Sequence, residues 1–309
     1  MIFSNPLLPA SREGADPFLT FHDGKYFLSV TRGDHISFHR ATTLAGLQNA
    51  PEQIIWQDAH PQRHTNMWAP EFFHLEGRWW CYYCAADGKG RHRALVLRGH
   101  QRDLEGPWEF AGQLMTDTSD EHFAIDFSVV QAASGLYGVW AGFPEHRLFI
   151  APMLSPSELS GERVLLEADG FGCEEVREGP FCLRRNGRIF LVYSICDARK
   201  ADYKMAMLSA DENADLSDPT SWTQHPKPVF TRDDEAKVYG PGHHSFFKSP
   251  DGTQDWVCYH AKTSTDFTYD DRVPCAKRIG WNPDGTPDLG TPPALGEQLE
   301  EPSGTPDNI

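Results

Sequence analysis

The sequence predicts an all-β protein, a single five-bladed β-propeller whose active site lies on the central axis, and two regularities carry that prediction. Five times a turn dipeptide containing Gly leads into an aromatic-rich, strand-like stretch: Asp23-Gly24-Lys-Tyr-Phe-Leu, Glu76-Gly77-Arg-Trp-Trp-Cys, Ser134-Gly135-Leu-Tyr-Gly-Val, Asn186-Gly187-Arg-Ile-Phe-Leu and Asp251-Gly252-Thr-Gln-Asp-Trp. The turn glycines are 53, 58, 52 and 65 residues apart, so five units of similar length fill the 309 residues. Upstream of the turns stands a second regularity. Asp16 lies 8 residues before its turn glycine, Glu71 lies 6 before, and Asp126, Glu178 and His243 each lie 9 before. If the units are blades around an axis, four carboxylates and an imidazole meet at one place.

Each element follows from local signals. Asp-Gly and Asn-Gly turns between alternating apolar runs mark antiparallel hairpins. A period of about 40–50 residues or somewhat more holds a four-stranded blade, and five such blades close a ring without long exposed edges. The inner strand of each blade lines the channel, and its start faces the axis. In the second unit Trp-Trp-Cys81-Tyr-Tyr-Cys84 reads as a strand. Residues three apart on a strand face opposite ways, so this C-x-x-C neither chelates a metal nor forms an easy disulfide. Helix signals are scarce, and 158–166 and 216–222 read as inter-strand loops or single turns. From about 282 to 309 the chain is rich in Gly, Pro and Thr. That segment is expected to pack on the last blade and to end in a mobile tail after about Gln298. No linker or second module interrupts the repeat.

Composition narrows the partners. A net charge of −16 disfavours nucleic acid and anionic membranes, whose phosphates would be repelled. No apolar run approaches the roughly 20 residues of a membrane span. The N-terminus lacks the basic and apolar regions of a signal peptide. The chain is therefore expected to be cytoplasmic, or secreted with its signal peptide absent from this sequence. Seven cysteines, an odd number, do not suggest a disulfide framework. The sequence is silent on oligomeric state.

The chemistry is concentrated in three carboxylates. Asp16, Asp126 and Glu178 sit in apolar contexts, Ala-Asp-Pro-Phe-Leu, Ala-Ile-Asp-Phe-Ser-Val-Val and Glu-Gly-Pro-Phe-Cys-Leu. Like charges held close raise one another's pKa, an arrangement tolerated mainly where chemistry needs it. Glycoside hydrolysis has that need, with one carboxyl kept protonated and one kept ionised. Glu71, with its shorter offset, reads as structural or as an acceptor for a substrate hydroxyl.

These residues resemble glycoside hydrolase family 43. Gly14-Ala-Asp16-Pro-Phe, Met67-Trp-Ala-Pro-Glu71, Ile125-Asp126, Glu178-Gly-Pro180 and Tyr239-Gly-Pro-Gly-His243-His-Ser-Phe are similar to the family's motifs, in order and over nearly the whole chain. Stretches such as Leu148-Phe-Ile-Ala-Pro-Met and Trp281-Asn-Pro-Asp-Gly are similar to its exo-acting α-L-arabinofuranosidases. The resemblance implies Asp16 as the general base, Glu178 as the general acid and Asp126 as the residue that tunes and orients Glu178. It also implies an inverting reaction that releases terminal arabinofuranose from plant cell-wall arabinan or arabinoxylan oligosaccharides. His243 matches an axial histidine that often holds a hydrated Ca2+ ion. Phe127 departs from the family and is expected to reshape the wall beside Asp126. Trp68 is a candidate to stack on the sugar, and Arg272 to meet its hydroxyls. His22, His35 and His39 read as surface imidazoles.

A β-D-xylosidase is the nearest alternative, since the same trio serves it. A non-catalytic glycan-binding propeller need not keep three such carboxylates. A retaining, fructan-active propeller would need Asn-Asp-Pro and Arg-Asp-Pro motifs, and neither occurs.

Overall fold

The structure is a computed structural model that describes residues 1–9, 13–87 and 89–306. Five antiparallel sheets follow one another along the chain. Blade I comprises Phe18–His22, Lys25–Ser29, Ile36–Ala41 and Glu52–Trp56; blade II comprises Thr65–Leu75, Arg78–Ala86, His92–Arg98 and Glu109–Gln113. Blade III comprises Ala124–Ala132, Gly135–Gly142 and Arg147–Ser155. Blade IV comprises Arg177–Arg185, Arg188–Ile195, Lys204–Asp211 and Thr223–Gln224, and blade V Tyr239–Lys248, Asp255–Lys262 and Arg272–Arg278. The first strand of each blade abuts its neighbours around the ring, blade V against blade I. The arrangement is a five-bladed β-propeller.

Three of the five turns have the backbone that the sequence motif requires. Asp23, Glu76 and Asn186 have φ of 46°, 49° and 50°, and the glycines after them φ of 77°, 75° and 75°. Positive φ at both central residues makes a type I′ turn, whose twist matches that of the flanking strands. The fifth turn differs: Gly252 lies within a six-residue loop between Lys248 and Asp255.

Blade V has three strands, and the N-terminal segment covers its open edge. The side-chain amide of Asn5 donates to the Ala276 carbonyl at 3.0 Å and accepts from its N–H at 2.8 Å, imitating a strand residue. The Leu7 and Gly14 N–H groups donate to the Pro274 and Arg272 carbonyls. Only glycine fits at Gly14, because an added Cβ would lie 2.1 Å from the Pro274 ring.

The C-terminal segment departs from expectation. Leu299–Glu300 pairs with Ile2–Phe3, and the Glu301 carboxylate accepts from the N–H groups of Leu44 and Ala45 at 2.9 and 2.8 Å, at the start of the one-turn helix Leu44–Leu47. The chain beyond Gln298 is therefore pinned across blade I rather than free, and residues 307–309 lie outside the described residues. Within 158–166, two short strands (Glu158–Leu159 and Val164–Leu165) pair with the edge of blade III, where a loop or single turn was expected.

Aromatic side chains fill the seams between blades. Between blades II and III, Phe127 stacks between Tyr82 and Trp140 at 5.3 and 5.7 Å and presses on Gly138. Phe127 thus points into the core, away from Asp126, and does not shape the pocket wall. Cys81 and Cys84 are buried free thiols. Cys173 and Cys196, by contrast, form a disulfide with Cα atoms 4.8 Å apart, which corrects the expectation of no disulfide. An odd cysteine count does not exclude a single bridge, and this one joins two loops 23 residues apart.

Candidate active site

The start of the inner strand is distorted in blades II to V, and in blade I the distortion lies just ahead of the strand. Pairing slips between Trp68 and Glu71, Ile125 and Ser128, Glu178 and Phe181, and Gly242 and His244. At or beside each slip one residue takes left-handed φ: Ala69 48°, Asp126 55°, Gly179 52° and His243 38°, with Asp16 at 54° just ahead of the blade I strand. These five stand 8, 8, 9, 8 and 9 residues before their turn glycines in chain order. They are the repeat-equivalent positions. An extra residue in one strand re-aims a side chain out of the pleat. Each non-glycine left-handed residue costs about 1–3 kcal/mol, a strain that gathers at functional sites. Gly179 occupies blade IV's position because an added Cβ would lie 3.1 Å from the His243 ring.

The distortions open a cleft of about 440 Å³ whose lining includes Asp16, Trp68, Asp126, Glu178, His243 and Arg272. Asp16 is the most strongly supported anion. Its Oδ2 accepts from Thr31 Oγ1 at 2.7 Å, and its Oδ1 lies 3.1 Å from His243 Nδ1 and 3.5 Å from Arg272 Nη1. Burial opposes its charge, but His243, Arg272 and the Thr31 hydroxyl prevail and hold its pKa at about 2. Asp126 is the opposite case. Burial and repulsion from Glu178 and Asp16 push it up to about 6, against His243 and the Gly179 N–H, which donates to Oδ2 at 3.0 Å. On Glu178, Oε1 accepts from Tyr203 Oη at 2.7 Å and Oε2 lies 3.2 Å from His146 Nε2. Burial would raise Glu178, but His146, His243 and the Tyr203 hydroxyl outweigh it and keep the carboxyl below its ordinary value.

Residues 3–287 match the family Glycosyl hydrolases family 43. The chain belongs to that family. This family 43 protein is 36% identical over 280 residues to an extracellular exo-α-(1→5)-L-arabinofuranosidase of Streptomyces chartreusis, covering 84% of this chain and 82% of the relative. It is 35% identical to α-L-arabinofuranosidase 43 of Humicola insolens, covering 90% of this chain but 62% of that longer protein. Its fold superposes on the crystal structure of an α-L-arabinofuranosidase from Lactobacillus brevis with a TM-score of 0.86 at 34% identity, over 96% of this chain and 98% of that one.

The family 43 cleft brings together six of the seven residues singled out in the sequence. Trp68 stacks on His92 at 3.8 Å and lines the cleft beside the trio. Arg272 turns towards Asp16. Glu71 is outside the cleft: it stands two residues past Ala69, deeper in the strand, and is 4% exposed. Burial and Asp126 raise its pKa well above the ordinary value. His22 and His35 bond outside the cleft, and His39 is buried rather than a surface group.

Sequence reasoning missed several supports. His146 comes from the turn between the last two strands of blade III, and its carbonyl accepts from the Arg177 N–H at 2.9 Å, next to Glu178. His260 accepts from the Asp16 N–H at 3.3 Å while its ring stacks at 5.4 Å on Tyr203, which bonds Glu178. Thr31 accepts the Ala69 N–H at 2.9 Å while donating to Asp16. None occupies the repeat-equivalent position, so the spacing carried no signal for them.

The family likeness implies an axial Ca2+ ion at His243, and the residues present do not fit one. The ring directs Nδ1 at Asp16 Oδ1, 3.1 Å away, and the same nitrogen is 3.9 Å from Asp126 Oδ2. Burial lowers the His243 pKa, but Asp16, Asp126 and Glu178 raise it above the ordinary value, which favours the charged ring over the neutral one that a metal needs. Among the described residues no three His, Cys, Asp or Glu side chains gather to hold an ion. His243→Ala is expected to lower turnover by more than its loss of stability explains. Removing the cation raises the carboxylate pKa values, so the pH–rate profile moves up in pH. EDTA should leave the wild type active, whereas loss of activity restored by calcium would contradict this reading. His244→Ala should do less, because its ring packs on Phe246 and burial pushes it down to about 3, a neutral spacer.

Proposed function

We propose that this family 43 glycosyl hydrolase is an inverting exo-α-L-arabinofuranosidase acting on arabinan or arabinoxylan oligosaccharides. The observation that carries the reading is the unequal state of the carboxyls. Against burial, His243, Arg272 and Thr31 hold Asp16 low, while burial and the neighbouring carboxylates push Asp126, next to Glu178, up to about 6.

Asp16 takes the proton of a water as that water attacks the anomeric carbon. It stays ionised across the working pH range, and its basicity is needed only as positive charge on the sugar makes the water more acidic. Glu178 gives its proton to the departing glycosidic oxygen. Tyr203 and His146 fix its two oxygens, and Asp126, the carboxyl pushed up beside it, shares the proton that the buried pair retains. Substrate that fills the cleft displaces water from Glu178 and raises it towards the protonated acid. Trp68 and Arg272 contact the bound sugar. Exo action on arabinofuranose is supported by the names of the relatives, and their extracellular site, with the Cys173–Cys196 bond, supports secretion.

The test is hydrolysis of 4-nitrophenyl α-L-arabinofuranoside and β-D-xylopyranoside side by side. The arabinofuranoside should have the larger kcat/KM, by at least about tenfold. A preference for the xyloside replaces this reading with the β-xylosidase one, and binding without turnover of either replaces it with a glycan-binding propeller.

A further inference from the structure

Two large aromatic rings on one loop stand in the open, and one of them, Tyr269, lines the cleft. Phe267 is 60% exposed and Tyr269 46% exposed, both on the loop between the last two strands of blade V. Exposed rings contribute nothing to a core, and here they are held rather than loose. The Arg199 guanidinium lies 4.3 Å from the Phe267 ring centre and 5.3 Å from that of Tyr269. Arg199 is itself fixed by Asp197, with Nε donating to Oδ1 at 2.9 Å and Nη2 to Oδ2 at 2.5 Å. On the other side Arg272 lies 5.0 Å from the Tyr269 ring and donates from Nε to the Tyr269 carbonyl at 3.0 Å. The loop's own base is closed by Asp271, which accepts from the Ser264 N–H and hydroxyl at 3.0 and 2.7 Å and pairs with Lys262.

Tyr269's place in the cleft lining, with Phe267 braced by the same arginine, indicates the pair's ligand. Tyr269, Asp197 and Ala198 line the same cleft as Glu178. The strand that leads to Asp197 is the partner of Glu178's strand, with Ser194 opposite Glu178 and Ile195 opposite Arg177. The disulfide at Cys196 ties that strand end to the loop before Glu178. A group that gives a proton to the leaving oxygen has the leaving group beside it. We propose that Phe267 and Tyr269, braced by Arg199, form the subsite for the leaving group, taking the neutral pentose next to the scissile bond by stacking on its apolar face. This deepens the proposed function and rests on Glu178 being the acid. Rings pre-set by two arginines lose little freedom on binding, so the stacked contact is not spent on ordering the loop. Arginine behind the rings also leaves the wall unsuited to a cationic leaving group.

The experiment compares kcat/KM on α-1,5-L-arabinotriose with that on methyl α-L-arabinofuranoside, whose leaving group has no ring to stack. Phe267→Ala and Tyr269→Ala should each lose about five- to tenfold more on arabinotriose than on the methyl glycoside, and Phe267→Tyr should restore most of it. Equal losses on both substrates, or no loss on arabinotriose, overturn the proposal. Calorimetric binding of arabinotriose to Glu178→Gln protein reads the platform without turnover. Adding Phe267→Ala should weaken it several-fold, and unchanged binding overturns the platform. A wild type that hydrolyses neither glycoside, with binding still weakened by Phe267→Ala, instead overturns the enzymatic reading and leaves the platform standing.

Discussion

Glu178→Gln protein should keep its thermal stability and lose about 10²–10⁴-fold in kcat on arabino-oligosaccharides, the usual worth of a positioned general acid. Glutamine has nearly the same shape, and its carbonyl oxygen can still accept from Tyr203 Oη. What it cannot do is give up a proton to the departing sugar. The loss should depend on the leaving group: a nitrophenolate departs with little protonation, so kcat on the nitrophenyl glycoside should fall far less. Parallel measurement of kcat on both substrates, with the melting temperature as control, checks this. Equal falls on the two, or near-normal rates on the oligosaccharide, would remove Glu178 from the role of acid.

Asp16→Asn should cost a similar 10²–10⁴-fold, but independently of the leaving group. The water must be deprotonated whichever bond breaks. An amide oxygen can still accept from Thr31, yet the substitution removes the anion that sits 3.1 Å from His243 and 3.5 Å from Arg272. Two cations are then left facing a neutral group, so His243 should titrate at lower pH than in the wild type, which NMR of the imidazole can follow. A variant that retains activity on both substrates would show that the water is activated elsewhere.

Much of this site could be seen in the chain beforehand, and what could not has a physical cause. Asp23-Gly24 and Asn186-Gly187 announce hairpins because few other residue pairs reach positive φ at both turn positions. The axial trio was visible because three carboxylates in apolar strands are costly unless they are used. Counting offsets failed for Glu71, since a bulge displaces the register by a residue and spacing alone does not reveal which residue turns left-handed. Ala69, with no functional group, takes that position in blade II, and Glu71 is carried below the cleft. Phe127 follows Asp126 in sequence, but adjacent strand residues face opposite ways, so it fills the seam with Trp140. Asn5 imitating a strand, the Cys173–Cys196 bond and His146 beside Glu178 all join segments far apart in the chain. Their partners are set by the closed ring and leave no local pattern to read.

The most direct test of the account is the configuration of the first sugar released, followed by proton NMR within the first minutes of arabinotriose hydrolysis, before the anomers equilibrate. With Asp16 activating water on one side of the sugar and Glu178 protonating the leaving oxygen on the other, the water attacks in a single displacement. The first product from the α-linked substrate should be β-L-arabinofuranose. An α-configured first product would mean two displacements through a covalent sugar–enzyme intermediate, and would contradict the assignment of Asp16 as a base.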